Sequence, residues 1–221
     1  MIIHILDENI FKEVKLLYVE IPRAGCTTIK YELFWKRKYG AFDPTHELQK
    51  ILKRQMHDVL GYIHTETLEP YKDYFKFTVV RDPYKRFLSG FYGFLYNGKN
   101  SFISKTMGIS DYPEEIFSDP NIFLSHVNKE ILNKNPHTAL QTYLLPRDLN
   151  ELDYIGQLED MAQVESKLSH VLREKIQFGW ENKGQGTNYY SKNIDIDRFN
   201  QIFMEDYETL RQFYAPFISG W

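Results

Sequence analysis

Short apolar runs rich in strand-forming residues alternate with amphipathic stretches along the chain. The run at residues 16–21 predicts a β-strand, and a helix is expected over residues 27–39 after a turn-like Pro-Arg-Ala-Gly-Cys. The same order recurs at residues 74–80, where a predicted strand leads through Arg-Asp-Pro into a helix that extends to Leu95. Strand–loop–helix units in succession are typical of an α/β domain.

The second half of the chain adds one further strand and several helices. A strand is predicted at residues 153–158, followed by a helix over residues 160–175. Residues 195–214 predict an amphipathic helix. Its apolar stripe contains Phe199, Ile202, Phe203, Tyr207 and Leu210. Residues 98–150 are expected to be helical but irregular. The pattern therefore predicts a single domain over residues 1–221, with a central, mainly parallel sheet flanked by helices.

The charge of the chain is unevenly distributed. The net charge of −3 argues against a general nucleic-acid-binding protein. Residues 1–110 contain 17 basic and 12 acidic residues, whereas the remainder contains 10 and 18. Any anion-binding chemistry is therefore expected in the first half. The alternative is chance variation over solvated surfaces.

The cysteine content and the N-terminal sequence indicate in which cellular compartment the protein is expected. Cys26 is the one cysteine, which excludes an internal disulfide framework and a multi-cysteine metal site. The first residues lack the basic start of a signal peptide, and no segment approaches the apolar length of a membrane span. We therefore expect a cytoplasmic protein.

The first candidate for chemistry is the segment 21–30, Ile-Pro-Arg-Ala-Gly-Cys-Thr-Thr-Ile-Lys. A buried strand ends there, a glycine-containing loop turns, and two hydroxyl residues open a helix. Several backbone N–H groups and the positive end of the helix then surround one point, which suits a phosphate or a sulfate. Thr27 and Thr28 add hydroxyl donors, and Arg23 adds a charge. The alternative is an ordinary strand–helix turn capped by a threonine.

The loop differs from the phosphate-binding loop of nucleotide kinases. The pattern Gly-x-x-x-x-Gly-Lys-Ser/Thr is absent, and no acidic strand end is suited to hold Mg²⁺. ATP chemistry depends on a metal that neutralises the transferring phosphates. A sulfuryl group carries less negative charge, so basic side chains and backbone amides suffice.

The second candidate is Arg-Asp-Pro-Tyr-Lys-Arg-Phe-Leu-Ser at residues 81–89. Arg81 follows a predicted strand, at the edge where open α/β sheets bind ligands. Ser89 lies two turns into the next helix, with Arg86 between them. An arginine fork and a hydroxyl suit a second phosphate. The alternative is a structural turn at residues 81–83 with an internal ion pair.

Together the two motifs resemble those of the PAPS-dependent sulfotransferases, particularly the branch of Golgi carbohydrate sulfotransferases and their bacterial relatives. PAPS is 3′-phosphoadenosine 5′-phosphosulfate, and PAP is the nucleotide that remains after the sulfuryl group has been transferred. The family's loop for the 5′-phosphosulfate, Pro-Lys-x-Gly-x-Thr-Thr/Ser, corresponds to residues 22–28. Its 3′-phosphate motif, Arg-Asp-Pro-x-x-Arg-x-x-Ser, matches residues 81–89 at every fixed position.

The resemblance extends over most of the chain and implies a P-loop-like, three-layer α/β fold with PAPS as donor and no required metal. It places two sets of residues on the donor. Those on the 5′-phosphosulfate are Arg23, Ala24, Gly25, Cys26, Thr27 and Thr28, and those on the 3′-phosphate are Arg81 and Ser89. One position departs from the family, which has lysine where this chain has Arg23. That lysine stabilises charge on the bridging oxygen, and arginine donates there with a different reach.

Transfer to a hydroxyl also requires a group that removes the attacking proton. His64 lies just upstream of the second phosphate-binding strand. Relatives that act on sugars often carry a Gly-His segment at this place, and its histidine serves as the catalytic base in some of them. Histidine suits this task because it titrates near neutral pH. A partly buried structural histidine is the alternative. Glu66 and His57 are the reserve candidates for the base.

Three further segments bear on the resemblance. Residues 135–145 resemble a family segment in which His137 and Gln141 would share one face of a helix. Residues 153–159 resemble the family strand that ends in a glutamate, here Glu159. The glycine-rich residues 182–188 suit either a lid over the nucleotide or a plain surface loop.

The sequence thus predicts a sulfotransferase that moves a sulfuryl group by in-line transfer from PAPS to a hydroxyl, and the resemblance implies a saccharide as the acceptor. His64 is the predicted base, and Arg23 is predicted to stabilise the leaving phosphate. One alternative is a non-catalytic protein of the same fold that binds a nucleotide or a sulfated ligand. The other is a P-loop kinase, which the missing Lys-Ser/Thr disfavours.

Overall fold

The computed structural model describes residues 1–6, 14–41, 60–93, 98–179 and 194–216. The chain divides into two compact units. The first comprises Met1–Val80 and Leu145–Lys183, and the second comprises Arg81–Leu144 and Gly184–Trp221.

A five-stranded sheet forms the centre of the first unit. In chain order its strands are β1 (Ile2–Leu6), β2 (Leu16–Val19), β3 (Ile63–His64), β4 (Phe75–Val80) and β5 (Tyr154–Gln157). Their order across the sheet is β3-β1-β2-β4-β5. The pairs β2–β4 and β4–β5 are parallel, whereas β1 is antiparallel to both of its neighbours. Four strands therefore share one direction, and the predicted mainly parallel sheet is confirmed.

Both faces of β2 and β4 are buried. Leu16 and Tyr18 point to one face, and Leu17 and Val19 point to the other, each with no exposed surface. Burial on both faces explains why β2 reads as a continuous apolar run rather than as an alternating pattern. Thr78, also fully buried, donates its hydroxyl to the carbonyl of Val19 at 2.8 Å.

Two helical segments cover one face of this sheet. The first, α1, occupies residues 26–39 and is built from an α-helical start (Cys26–Lys30), a π-helical segment (Tyr31–Trp35) and an α-helical end (Lys36–Tyr39). The second, α7, spans Met161–Leu172. Its N-cap residue is Asp160, whose carboxylate accepts a hydrogen bond from the amide of Gln163. Their shared core with the sheet contains Leu16, Tyr18, Ile29, Leu33, Phe34, Phe77, Val79, Val164, Leu168 and Leu172.

The described part of the second unit is helical. Its α-helices are α2 (Pro83–Gly93), α3 (Phe102–Met107), α4 (Pro120–His126), α5 (Lys129–Asn133), α6 (Gln141–Leu144) and α8 (Ile196–Thr209). Short 3₁₀ turns lie at Glu114–Phe117 in this unit, and at Glu69–Tyr71, Leu149–Glu151 and Leu158–Asp160 in the first. In α8, Phe199 and Phe203 stack at 4.5 Å between ring centroids, and Phe87 of α2 packs against both rings.

The predicted strands at residues 16–21, 74–80 and 153–158 are confirmed within one or two residues at each end, as is the helix over residues 27–39. The helix predicted over residues 160–175 is also present, but it ends three residues earlier, at Leu172. The helix after residue 82 is described as far as Gly93, and Leu95 lies outside the described residues. The prediction missed β1 and β3. The two residues of β3 are too few to carry a pattern, and β1 contains a histidine that interrupts its apolar run.

Close packing of α7 on β5 yields a stability prediction. A methyl group added at Gly156 would lie 2.5 Å from Cγ2 of Val164, far inside van der Waals contact. We expect Gly156→Ala to lower the free energy of unfolding by about 1–3 kcal/mol through overpacking, measured by urea denaturation.

Val164→Ala provides the matched control, because it removes the atom that the new methyl group meets. The double variant should lose clearly less stability than the sum of the two single variants. Strictly additive losses would show that this contact does not limit the position.

Candidate active site

The loop between β2 and α1 turns sharply through two residues in left-handed backbone conformations. Arg23 has φ 72° and Gly25 has φ 81°. A side chain on Gly25 would also meet Leu158, since an added Cβ would lie 2.8 Å from its Cδ1. Glycine is therefore required here by both backbone conformation and space. Arg23 is half-buried, and its left-handed conformation is uncommon for a residue other than glycine.

Gly25 is also the N-cap residue of α1, and no side chain caps this helix end. No threonine therefore caps this helix. The amides of the first turn, which begins at Cys26, have no acceptor within the helix, and the positive end of the helix lies at the same point. Thr27 and Thr28 are half-buried within this turn. The loop thus has the donors that an oxyanion requires.

A buried ion pair joins the two ends of this loop. Glu20 precedes the loop and Lys30 follows it, and Lys30 Nζ lies 2.9 and 3.0 Å from the two carboxylate oxygens. On the other side of Glu20, His4 Nε2 lies 2.5 Å from Oε2, and His4 Nδ1 lies 2.9 Å from the carbonyl oxygen of Gly61. His4, Glu20 and Lys30 are 2%, 3% and 4% exposed. No local pattern in the sequence predicts this cluster, because its members come from β1, the end of β2 and α1.

The same carboxylate acts on the thiol of Cys26. Burial, followed by the negative charge of Glu20, raises the pKa of this thiol to about 11, and Lys30 opposes the shift. Cys26 is therefore a neutral thiol in the loop at physiological pH, and the loop gains no negative charge from it.

His64 lies on the edge strand β3, and its side chain is exposed. The sheet register pairs it with Ile2, whose carbonyl accepts the amide of Glu20 at 2.9 Å. At about 4.8 Å per strand, His64 is about 10 Å across the sheet from Glu20, where the loop begins. An exposed histidine contradicts the alternative of a partly buried structural residue.

The reserve candidates for the base have different outcomes. Glu66 is exposed in the bend that follows β3, two residues beyond His64. His57 lies outside the described residues.

The second motif begins where β4 ends. Asp82 accepts the amide of Lys85 at 2.9 Å through its side chain, and the amide of Arg86 at 2.8 Å through its carbonyl, so it starts α2. The guanidinium of Arg86 is buried and donates to the carbonyls of Ala139 at 2.5 Å and Pro136 at 3.0 Å. Arg86 therefore fixes the turn at residues 136–139. Arg81 and Ser89, which the resemblance places on a phosphate, are both half-buried.

Gln141 contacts this motif and Asp206 contacts Gln141, and neither was predicted as a site residue. The side chain of Gln141 accepts the amide of Arg81 at 3.0 Å and donates to its carbonyl at 2.7 Å. Asp206 accepts the amides of Gln141 and Thr142 at 3.0 and 2.9 Å. Asp206 follows Phe199 by seven residues in α8, so a carboxylate within an apolar stripe was the available signal.

The other predicted segments are only partly as expected. His137 and Gln141 do not share a helix face, because α6 begins at Gln141 and His137 lies in the preceding turn. Strand β5 ends at Gln157, and Glu159 is exposed in the 3₁₀ turn that follows. Residues 182–188 lie outside the described residues.

Described residues of the first unit line a larger and a smaller cavity. The larger, about 370 Å³, is lined by Glu32, Lys36, Arg37, Lys175, Ile176 and Gln177, and contains no predicted site residue. The smaller, about 30 Å³, lies beside the loop. Its lining includes Thr28, Leu158 and Phe178.

Within the part of the chain that the structure describes, no three His, Cys, Asp or Glu side chains are grouped to hold a metal ion. None of the helices described above has the length and apolar character needed to cross a membrane.

The geometry of the two motifs agrees with a comparison against protein families. A model described as the sulfotransferase family matches residues 8–209, which includes both motifs and most of the chain. The chain belongs to the sulfotransferase family. Comparisons with curated proteins and with solved structures give no match. The mixed α/β architecture with a parallel sheet centre fits this family's fold, and family membership makes the protein a transferase of sulfuryl groups.

The raised pKa of Cys26 gives a testable property of this sulfotransferase. With a pKa of about 11, the thiolate fraction at pH 8 is roughly 100-fold lower than for a thiol with the ordinary pKa of 9.0. We expect iodoacetamide to alkylate the native protein about 100-fold more slowly than the urea-denatured protein at pH 8. Because Cys26 is the one cysteine, total alkylation measured by mass spectrometry reports on it alone.

The dependence of the alkylation rate on pH tests whether the raised pKa of Cys26 causes the slow reaction. The native rate should keep rising up to about pH 11, whereas the rate in urea should level off near pH 9. Equal rates and equal profiles in the two states would contradict the electrostatic account.

Proposed function

We propose that this sulfotransferase transfers the sulfuryl group of PAPS to a hydroxyl of a carbohydrate acceptor. The observation that carries the proposal is the loop after β2, where a glycine N-cap leaves the first amides of α1 without a side-chain cap. A bound oxyanion is the natural acceptor for such amides.

On this proposal the loop at residues 22–28 binds the 5′-phosphosulfate. The amides from Gly25 to Thr28 donate to its oxygens, and the hydroxyls of Thr27 and Thr28 add further bonds. The buried pair of Glu20 and Lys30 supports the assignment because it holds both ends of the loop. Preorganised donors stabilise a developing charge better than donors that must first reorient.

We assign the 3′-phosphate to Arg81 and Ser89. The involvement of Arg86 with backbone carbonyls supports this choice, since two of its guanidinium nitrogens already donate to Ala139 O and Pro136 O. Arg81 would contribute a charged, forked donor and Ser89 a neutral hydroxyl. A nucleotide without a 3′-phosphate would lack both contacts.

The proposed reaction is an in-line displacement at sulfur. The acceptor oxygen forms a bond to sulfur while the bond from sulfur to the bridging phosphate oxygen breaks, which releases PAP. The proton of the acceptor hydroxyl passes to His64 as general base. Arg23 stabilises the negative charge that grows on the bridging oxygen, the task that lysine performs in the family.

The surroundings of His64 support a saccharide acceptor. Tyr62 lies beside it with the two ring centroids 5.1 Å apart, and Tyr62 and Ile63 are 43% and 42% exposed. Exposed aromatic rings are surfaces on which the apolar face of a sugar packs, and they are otherwise unfavourable in water. The resemblance to carbohydrate sulfotransferases points to the same class.

The proposed donor predicts a specific pattern of ligand stabilisation. PAP should raise the melting temperature without added metal, while ATP at the same concentration should do so poorly because it lacks the 3′-phosphate. Differential scanning fluorimetry with and without EDTA measures both effects. Equal stabilisation by ATP and PAP would contradict the donor assignment, and dependence of either on Mg²⁺ would favour a kinase.

The proposed base predicts a separation of binding from turnover. His64→Ala should leave PAP affinity nearly unchanged and slow the release of PAP from PAPS by about 10²–10⁴-fold, because the base contacts the acceptor and not the donor. The fall in wild-type rate at acid pH should also disappear in the variant.

His170→Ala is the matched control, since His170 is an exposed histidine near the end of α7. It should keep normal turnover. A folded His64→Ala variant with near-normal turnover would remove His64 from the mechanism and make Glu66 or His57 the candidate. Absence of turnover in the wild-type protein, with intact PAP binding, would favour a non-catalytic binding protein.

A further inference from the structure

The main chain of Arg81 is held by a side chain rather than by the sheet. The last register pair between β4 and β5 joins Val80 and Gln157, so Arg81 lies one residue beyond the ladder. Gln141 takes the place of a strand partner, because its amide accepts from Arg81 N at 3.0 Å and donates to Arg81 O at 2.7 Å. Both polar groups of this residue's backbone are therefore satisfied by one side chain.

Gln141 is itself fixed from α8. The carboxylate of Asp206 accepts the amide of Gln141 at 3.0 Å, and the amide and hydroxyl of Thr142 at 2.9 and 3.0 Å. These donors are at the start of α6, so the carboxylate binds the positive end of that helix. Gln141 and Asp206 have no exposed surface.

The buried carboxylate of Asp206 would lower the stability of the protein if its only role were to fill space in the core. A buried carboxylate is unfavourable, and burial raises the pKa of Asp206 even though its three hydrogen bonds and Arg86 act in the opposite direction. Apolar side chains of similar volume often pack as well as buried charges or better. What apolar side chains cannot do is fix both backbone groups of Arg81.

We infer that Gln141 and Asp206 are positioning residues that set the direction of the Arg81 side chain toward a phosphate monoester. This inference rests on the proposed function, in which that monoester is the 3′-phosphate of the donor. Gln141 acts on Arg81 directly, and Asp206 acts through Gln141. Neither residue contacts the ligand, so their effect should appear only where the ligand carries the group that Arg81 binds.

The test compares PAP with adenosine 5′-monophosphate, which differs from PAP only by lacking the 3′-phosphate. Gln141→Met keeps the length of the side chain and removes both hydrogen bonds to Arg81. Isothermal titration calorimetry should show PAP affinity about 5- to 10-fold weaker, and affinity for the monophosphate changed by less than about 2-fold.

A double-variant cycle with Arg81→Ala separates positioning from general destabilisation. Once the guanidinium is absent, adding Gln141→Met should cause no further loss of PAP affinity. A loss that persists in the Arg81→Ala background would overturn the inference, because it would act independently of that side chain.

Asp206→Asn is the second variant, and it decides the question if Gln141→Met does not fold. It keeps the shape of the side chain but turns one oxygen that faces Gln141 or Thr142 into a donor, so we expect a smaller, PAP-specific loss. Ser104→Ala is the control: it removes a buried hydroxyl that donates to Gly98 O at 3.0 Å, in the same unit but without contact to Arg81. It should bind PAP as the wild type does.

The outcomes distinguish the inference from the proposed function. If wild-type protein does not prefer PAP to the monophosphate, the donor assignment and this inference both fail. If Arg81→Ala removes that preference while Gln141→Met and Asp206→Asn retain it, the donor assignment stands and the positioning role is wrong.

Discussion

The candidate site depends on the interactions of one buried carboxylate, that of Glu20. It contacts Lys30 after the loop and His4 on the neighbouring strand, so one side chain ties both ends of the loop to the sheet. Removing one partner of such a pair leaves an uncompensated buried charge, which typically costs about 3–5 kcal/mol. The left-handed conformations of Arg23 and Gly25 are held between these fixed ends.

A second buried carboxylate has a comparable role in the other unit. Asp206 accepts three hydrogen bonds at the start of α6 and thereby fixes Gln141, which in turn holds the main chain of Arg81. In each unit a buried carboxylate is linked by hydrogen bonds to a motif that we propose to bind an anion. On that proposal, these carboxylates help to preorganise the donors of each motif.

Local signals in the sequence were enough to predict the strands β2, β4 and β5 and the helices that follow β2 and β5, because apolar runs there end at Pro, Gly or Asp. They also placed Arg81 at a strand end and Gly25 in a loop. They did not reveal the roles of Gln141 and Asp206, whose partners lie 60 to 65 residues away. Such contacts depend on tertiary packing, which periodicity and spacing do not encode.

The central claim is that the protein transfers a sulfuryl group rather than only binding a nucleotide. The most direct measurement supplies PAPS labelled with radioactive sulfur together with a panel of saccharides, and follows the label and PAP in the same samples. We predict that label enters at least one saccharide with one PAP released for each labelled acceptor. Release of PAP that is the same with and without acceptor, or no release above the protein-free rate, would contradict the account.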